Sequence, residues 1–278
     1  MITETVMITD SHNHTCHFSS DAEMSISELI DSCVSRNIKR AVITEHYDYD
    51  YPHPEIPPQV FDLAQYYDAV KLWKKLSNDV EINMGIELGY QPHVADKIEE
   101  ISKMFPFDSI ILSVHVLEGK DVYYYPECYK KYTKEELNRK YIEVLVEMAD
   151  RINGYDIIGH YDYINRYSKK RNAKMLYSDC PKEFDNLFEI LITKEKSLEI
   201  NTKSIYRSRQ KKHTDIMPDK EILLRYKDMG GTMITLGSDA HKKGSVGILF
   251  EETGEYLRSL GFKTNTYFIG RKPFEETL

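Results

Sequence analysis

The chain has only four cysteines in 278 residues, and Cys16, Cys33, Cys128 and Cys180 are widely scattered with no C-x-x-C pair among them. That spacing suggests neither a disulfide framework nor a zinc finger, and it fits a reducing compartment. Long apolar runs are missing as well. No stretch of 18 apolar residues occurs, and the N-terminal MITETVMITDSHNH has no basic segment followed by an apolar one, so the reading is a soluble, cytoplasmic protein without a membrane partner. Positive charge is also scarce. Against 45 Asp and Glu stand 37 Lys and Arg, giving a net charge of −8 and a pI near 5.7, a balance that argues against gripping nucleic-acid backbones. It leaves room for a small phosphorylated substrate, which needs only two or three local cations.

The residues are 41% hydrophobic and 29% charged, enough apolar material for a sizeable core and too much for disorder. Short β-branched runs recur at 6–10 (VMITD), 40–44 (RAVIT), 82–86 (INMGI), 109–114 (SIILSV), 155–159 (YDIIG), 197–201 (SLEIN) and 232–237 (TMITLG). Continuous apolar runs of this length suit strands buried on both faces, as in a parallel sheet or barrel. Between them lie stretches with helical apolar spacing. Ser25 to Arg36 carries Ile26, Leu29, Ile30 and Cys33, and Lys134 to Arg151 carries Leu137, Tyr141, Leu145 and Met148. The alternation gives seven βα units, with 265–270 (NTYFIG) as a late strand. No repeat, low-complexity tract or linker divides them, so residues 1–278 read as one domain. Two long segments, 47–58 (YDYDYPHPEIPP) and 118–132 (EGKDVYYYPECYKKY), read as loops that wall or cover a site.

The chemistry-bearing residues follow the expected strands. His12 and His14 come after the first, Glu45 and His46 after the second, Glu87 at the end of the third, His115 at the fourth, His160 after the fifth, and Asp239 and His241 after the seventh. In a closed parallel barrel these carboxyl ends share one face, where such folds place their active sites. Residues i and i+2 of an extended segment point the same way, so H-x-H at 12–14 and D-x-H at 239–241 can each present two ligands to one ion. A lone histidine beside a strand is more often a hydrogen-bonded structural residue; six following five strands are not explained that way. Glu87 has two oxygens with which to bridge ions. Asp21 could add an oxygen ligand or serve as a turn residue ahead of Ser25, and His17 competes with it. Glu45 suits the role of orienting a ligand by hydrogen bonding. Cys16 sits in no C-x5-R context and reads as packing.

The ordered set DSHNH (10–14), TEH (44–46), GIE (85–87), SVH (113–115), GHYD (159–162) and GSDAH (237–241) resembles the polymerase and histidinol phosphatase (PHP) superfamily over nearly the whole chain. HFSSD, LEINT and GSDAHKKGSVG are similar to its histidinol-phosphate phosphatase branch. The resemblance implies an α/β fold, a distorted (β/α)7 TIM-like barrel, holding two to three divalent metals (zinc, manganese or iron). By motif, His12, His14, Glu87 and Asp239 would hold the first, Glu87, His115 and His160 the second, and His46, His241 and Asp21 the third.

The implied activity is hydrolysis of L-histidinol phosphate, a small phosphate monoester, in histidine biosynthesis. Arg166 and Arg207, with Arg209 in reserve, would clamp the phosphate through their planar forks. Asp239, His241 or His17 would guide the proton to the leaving alkoxide. The tyrosine-rich loop Tyr123 to Tyr132 and the acidic loop Asp48 to Glu55 would meet the substrate's ammonium and ring. The alternatives are another PHP activity, on phosphotyrosine or as an exonuclease, and a non-catalytic metal-binding module.

Overall fold

Seven short strands rich in Ile, Val and Leu run parallel around a nearly closed barrel in a computed structural model that describes residues 8–56, 59–168, 174–213 and 215–278. They are β1 (Ile8–Asn13), β2 (Ile38–Ile43), β3 (Glu81–Gly89), β4 (Ser109–Ser113), β5 (Ile157–Ile158), β6 (Ser197–Asn201) and β7 (Ile234–Gly237). The register runs in chain order, through Ile43 beside Met84, Glu87 beside Ile111, Ile111 beside Ile157, Ile157 beside Ser197, and Asn201 beside Gly237. Asn13 bridges Ala240 in parallel, and the His14 amide donates to the Ala240 carbonyl at 2.9 Å, drawing the last strand back to the first. The expected late strand forms an antiparallel hairpin instead of joining the barrel: β8 (Thr264–Ile269) pairs with β9 (Lys272–Thr277). Phe268 packs on Ile111 and Ile157 inside the barrel, while Arg271 bonds Asp156 and Glu276 bonds Thr9. The hairpin thus plugs the amino-terminal end and leaves the carboxyl end open for chemistry.

Among the described residues the helices of more than one turn, α1 (Ile26–Ser35), α2 (Leu63–Leu76), α3 (Ala95–Ile101), α4 (Lys134–Arg151), α5 (Pro181–Thr193), α6 (Thr202–Gln210), α7 (Lys220–Asp228) and α8 (Phe250–Ser259), accompany the strands. The two helices read from apolar spacing start where the capping chemistry says. Ser25 and Glu28 form a capping box at α1, as do Thr133 and Glu136 at α4, satisfying amides that the helix itself leaves free. The buried face of α4 comprises Leu137, Tyr141, Ile142, Leu145 and Met148. Each fully buried aliphatic side chain contributes about 1.5–3 kcal/mol, so a face of this size fixes the helix against the sheet. Among the described residues no helix is long and apolar enough to cross a membrane.

Strand boundaries differ from expectation where the site is built. β1 extends to Asn13, because the Thr44 amide donates to the Asn13 carbonyl at 2.8 Å, so His12 lies within the strand rather than beyond it. β3 extends to Gly89, supported by the His46–Tyr47 segment pairing with Glu87 and Leu88. Residues 6–7 of the expected first strand, 57–58 of the first loop and 169–171 of the basic run after Arg166 lie outside the described residues.

Candidate metal and phosphate site

Glu87 stands at the centre of the open end. Its Oε2 lies 2.7 Å from His46 Nδ1, 3.4 Å from His12 Nε2 and 3.6 Å from His14 Nε2. Its Oε1 lies 2.9 Å from His160 Nε2 and 3.3 Å from His115 Nε2. The carboxyl is fully buried. Burial alone would raise its pKa, but His12, His115 and His46 hold it well below the usual carboxylate range. Three ligand triads have donor atoms within 4.8 Å of one another: His12, His14 and Glu87; His46, Glu87 and His115; and His14, His46 and His241. His14 and His46 each belong to two of them, so the ligands form one continuous cluster.

The rest of the expected ligand set joins this cluster. Asp239 Oδ1 lies 3.5 Å from His14 Nε2. His241 Nε2 lies 3.2 Å from His46 Nε2 and 3.0 Å from Asp21 Oδ2, and Asp21 is 3.6 Å from His46 Nε2. Asp21 is the outermost member, its side chain 40% exposed.

Outer carboxylates aim the imidazoles. Glu199 accepts from His12 Nδ1 at 2.6 Å and from the His160 amide at 2.5 Å. Asp48 accepts from His115 Nδ1 at 2.9 Å, leaving Nε2 to face Glu87. Glu45 reaches the ligands through Ser19. Its carboxylate accepts from Ser19 Oγ and Thr15 Oγ1, both at 2.5 Å; Ser19 Oγ in turn accepts from the His46 amide at 3.1 Å and lies 3.4 Å from His14 Nδ1. Burial pushes Glu45 up to about 7. The close approach of β6, β7 and β1 depends on Gly237, where a Cβ would come within 2.2 Å of Glu199 Oε1 and 2.7 Å of His12 Cβ.

The donor set fits divalent cations. Among the described residues His12 Nε2 and His14 Nε2 are buried with no hydrogen-bond partner, and leaving such atoms unsatisfied costs about 1–3 kcal/mol each. Burial together with His46 and His241 keeps His14 well below its ordinary pKa, which favours the neutral imidazole that a metal needs. Imidazole and carboxylate in this mixture suit zinc and related transition metals.

Two cations flank Asp239. Arg166 Nη1 donates to Oδ2 at 2.6 Å, and Lys203 Nζ donates to Oδ1 at 2.9 Å while lying 3.1 Å from His241 Nδ1. Burial opposes ionisation of Asp239, but Lys203 and Arg166 hold its carboxyl well below the usual range. Arg166 therefore adjoins the cluster, whereas Arg207 sits further out with its guanidinium 5.2 Å from the centre of the Tyr167 ring. Arg209 pairs with Glu252.

His17 does not join the cluster. Its ring packs against Trp73 with centroids 5.2 Å apart, and Nε2 faces the amide of Ile26 at the start of α1. The acidic loop is also committed elsewhere: Asp48 to His115, Asp50 to His93, and Glu55 to Tyr125. Sequence pattern does not single out Lys203 or Glu199, and it places Asp48 in the loop expected to meet the substrate rather than behind His115. The available signal was a charged residue inside or directly after an apolar strand, as with Glu199 in SLEIN and Lys203 two residues past its end.

The PHP domain family model matches residues 10–203. The chain belongs to the PHP domain family. It is similar to the probable histidinol-phosphatase of Clostridium acetobutylicum, 30% identical over 257 residues that cover 92% of this chain and 95% of the relative. It is also similar to the histidinol-phosphatase of Lactococcus lactis, 26% identical with 95% of each covered. Among solved PHP relatives, the histidinol phosphate phosphatase of Lactococcus lactis, complexed with zinc, L-histidinol and phosphate, superposes with a TM-score of 0.84 over 96% of this chain and 98% of that one, at 26% identity. A putative histidinol phosphatase from Listeria monocytogenes shares the fold, with a TM-score of 0.73 at 16% identity over 88% and 99% of the two chains.

Proposed function

We propose that this PHP protein is a metal-dependent phosphatase that hydrolyses L-histidinol phosphate to histidinol and inorganic phosphate. The observation that carries the reading is the single buried Glu87 carboxylate with five histidine nitrogens within 3.6 Å of it. An ion pair or a structural buried carboxylate needs one or two such partners.

Two to three ions are assigned, of zinc, manganese or iron. His12, His14, Glu87 and Asp239 would hold the first, Glu87, His115 and His160 the second, and His46, His241 and Asp21 the third. When bound, divalent ions supply Lewis acidity that lowers the pKa of water from about 15.7 towards about 7 and neutralises phosphate oxygens. No serine or cysteine nucleophile is then needed.

The chain's own residues bind and orient. Arg166 offers the phosphate Nη2, a buried donor without a partner among the described residues. Arg207 stands behind it on the Tyr167 ring. Asp239 or His241 would guide a proton from water to the leaving alkoxide, while the ring of His17 lies against Trp73 instead. With the acidic loop's carboxylates engaged, the substrate's ammonium and ring fall to the tyrosines. Tyr123 packs on Tyr124 and Tyr167, with the first two rings 50% and 41% exposed. Aromatic faces attract a cation by roughly 0.5–2 kcal/mol, so selectivity would rest on several of them together.

The reading is tested by phosphate release from L-histidinol phosphate with the metal-loaded protein, using Glu87→Ala as the control. Turnover lost in the variant while its fold persists supports the reading; equal turnover in the two proteins rejects it.

A further inference from the structure

Asp162, the last residue of the GHYD motif, touches none of the histidines of the cluster, yet it is bonded towards the site through two further residues. Its Oδ1 accepts from Ser204 Oγ at 2.9 Å. Ser204 Oγ accepts from Arg166 Nε at 3.1 Å, and Arg166 Nη1 donates to Asp239 Oδ2 at 2.6 Å. The backbone is fixed at the same place, since Lys211 Nζ donates to the carbonyls of Arg166 and Ser168, each at 2.8 Å. Ser204 lies on α6 and Lys211 directly follows it, so one helix holds the short Tyr163–Arg166 turn at both side chain and main chain.

A guanidinium has five N–H donors in a rigid plane. Here Nε is taken by Ser204 and Nη1 by Asp239, while Nη2 is buried without a partner among the described residues. An arginine side chain is long and rotamer-rich, and leaving such a donor unsatisfied is costly unless something fixes the plane and something else uses the donor. Ser204 has a single hydroxyl proton. By giving it to Asp162, the hydroxyl must turn its lone pairs to Arg166 Nε, so Asp162 sets the polarity of the whole chain of bonds.

We propose that Asp162 and Ser204 are positioning residues that lock the Arg166 plane so that Nη2 is presented to the phosphate of the substrate. The inference rests on the phosphate-clamp role proposed above for Arg166, and is independent of which alcohol carries the phosphate. Orientation of a clamp affects affinity for the phosphoryl group first, because misplacement lengthens and bends the hydrogen bonds that Nη2 can donate to it.

The test is a set of double-mutant cycles on the metal-loaded full chain, read by the KM and kcat for p-nitrophenyl phosphate and by the inhibition constant of inorganic phosphate. Ser204→Ala should raise KM and the phosphate inhibition constant about 5- to 20-fold with kcat changed less than about threefold, while Ser204→Thr, which keeps the hydroxyl, recovers most of the loss. Asp162→Ala should reproduce the Ser204→Ala effect. In an Arg166→Ala background, Ser204→Ala should add less than about twofold. Equal effects of Ser204→Ala with and without Arg166, unchanged phosphate inhibition in Ser204→Ala and Asp162→Ala, or unchanged phosphate inhibition in Arg166→Ala would each overturn the inference. Because probe and inhibitor carry no histidinol, failure to hydrolyse L-histidinol phosphate would reject the substrate and leave this result standing.

Discussion

Glu199 and His12 face each other across the barrel interior, with Glu199 Oε1 2.6 Å from His12 Nδ1. Both side chains are fully buried or nearly so, and the bond commits Nδ1, leaving Nε2 as the only nitrogen that can turn to Glu87 and a metal. Burial works against a charged His12, but Glu199, Glu87 and Asp239 together raise its pKa well above the ordinary value. The other Glu199 oxygen receives the His160 amide, so one carboxylate steadies ligands from two strands.

Removing that carboxylate tests the outer layer. Glu199→Gln keeps the volume but replaces a charged acceptor, and loss of such a partner costs about 10- to 100-fold in metal affinity. Competition against a chromophoric chelator should read a weakening in that range with an unchanged circular dichroism spectrum. Wild-type affinity in the variant would mean that His12 is aimed by packing alone.

Glu87 and Asp21 should differ sharply. Glu87 contacts five histidines, whereas Asp21 pairs with His46 and His241. After reconstitution with zinc or manganese, wild-type protein should carry two to three equivalents, Asp21→Ala about one fewer, and Glu87→Ala less than half the wild-type content. Less than one equivalent in folded wild-type protein would contradict a multinuclear centre.

Metal removal should destabilise the protein, because a ligand that binds only the folded state adds stability of about 2.7 kcal/mol at a free concentration 100 times its Kd. Thermal unfolding followed before and after chelation, and again after zinc is restored, should show a lowered and then recovered midpoint. A midpoint indifferent to chelation would show that the buried cluster is satisfied without ions.

The cysteines offer a check on the packing around the barrel. Cys33 and Cys180 are buried and Cys16 is exposed. Burial pushes the Cys180 thiol up to about 12 and the Cys33 thiol higher still. The thiolate is the reactive form, so at pH 8 both should resist alkylation in the folded state while Cys16 is labelled, and all four should react in denaturant. Mass spectrometry of labelled peptides reads this directly, and rapid labelling of Cys33 in folded protein would contradict the placement of α1.

Much of this arrangement was legible in the sequence because barrel strands impose a simple rule: residues at successive carboxyl ends become neighbours. His46, Glu87, His115, His160 and Asp239 follow from it. His17 was misleading because it stands only three residues from His14 yet belongs to the turn entering α1, where Trp73 on a distant helix supplies its packing. Asp48 reads as part of an acidic loop meeting the substrate, although strand pairing at His46–Tyr47 carries it inward to His115. The hairpin after α8 follows β-branched spacing that cannot tell an eighth barrel strand from a plug. What distinguishes them is tertiary, the fit of Phe268 into the barrel floor formed by Ile111 and Ile157.

The central claim is a phosphatase selective for one small monoester, and the most direct measurement is kcat/KM of the metal-loaded protein for L-histidinol phosphate beside p-nitrophenyl phosphate, a phosphotyrosine peptide and single-stranded DNA. L-histidinol phosphate should exceed each of the others by at least tenfold, and Glu87→Ala should abolish turnover of all that react. A higher kcat/KM for the phosphotyrosine peptide or for DNA would contradict that claim.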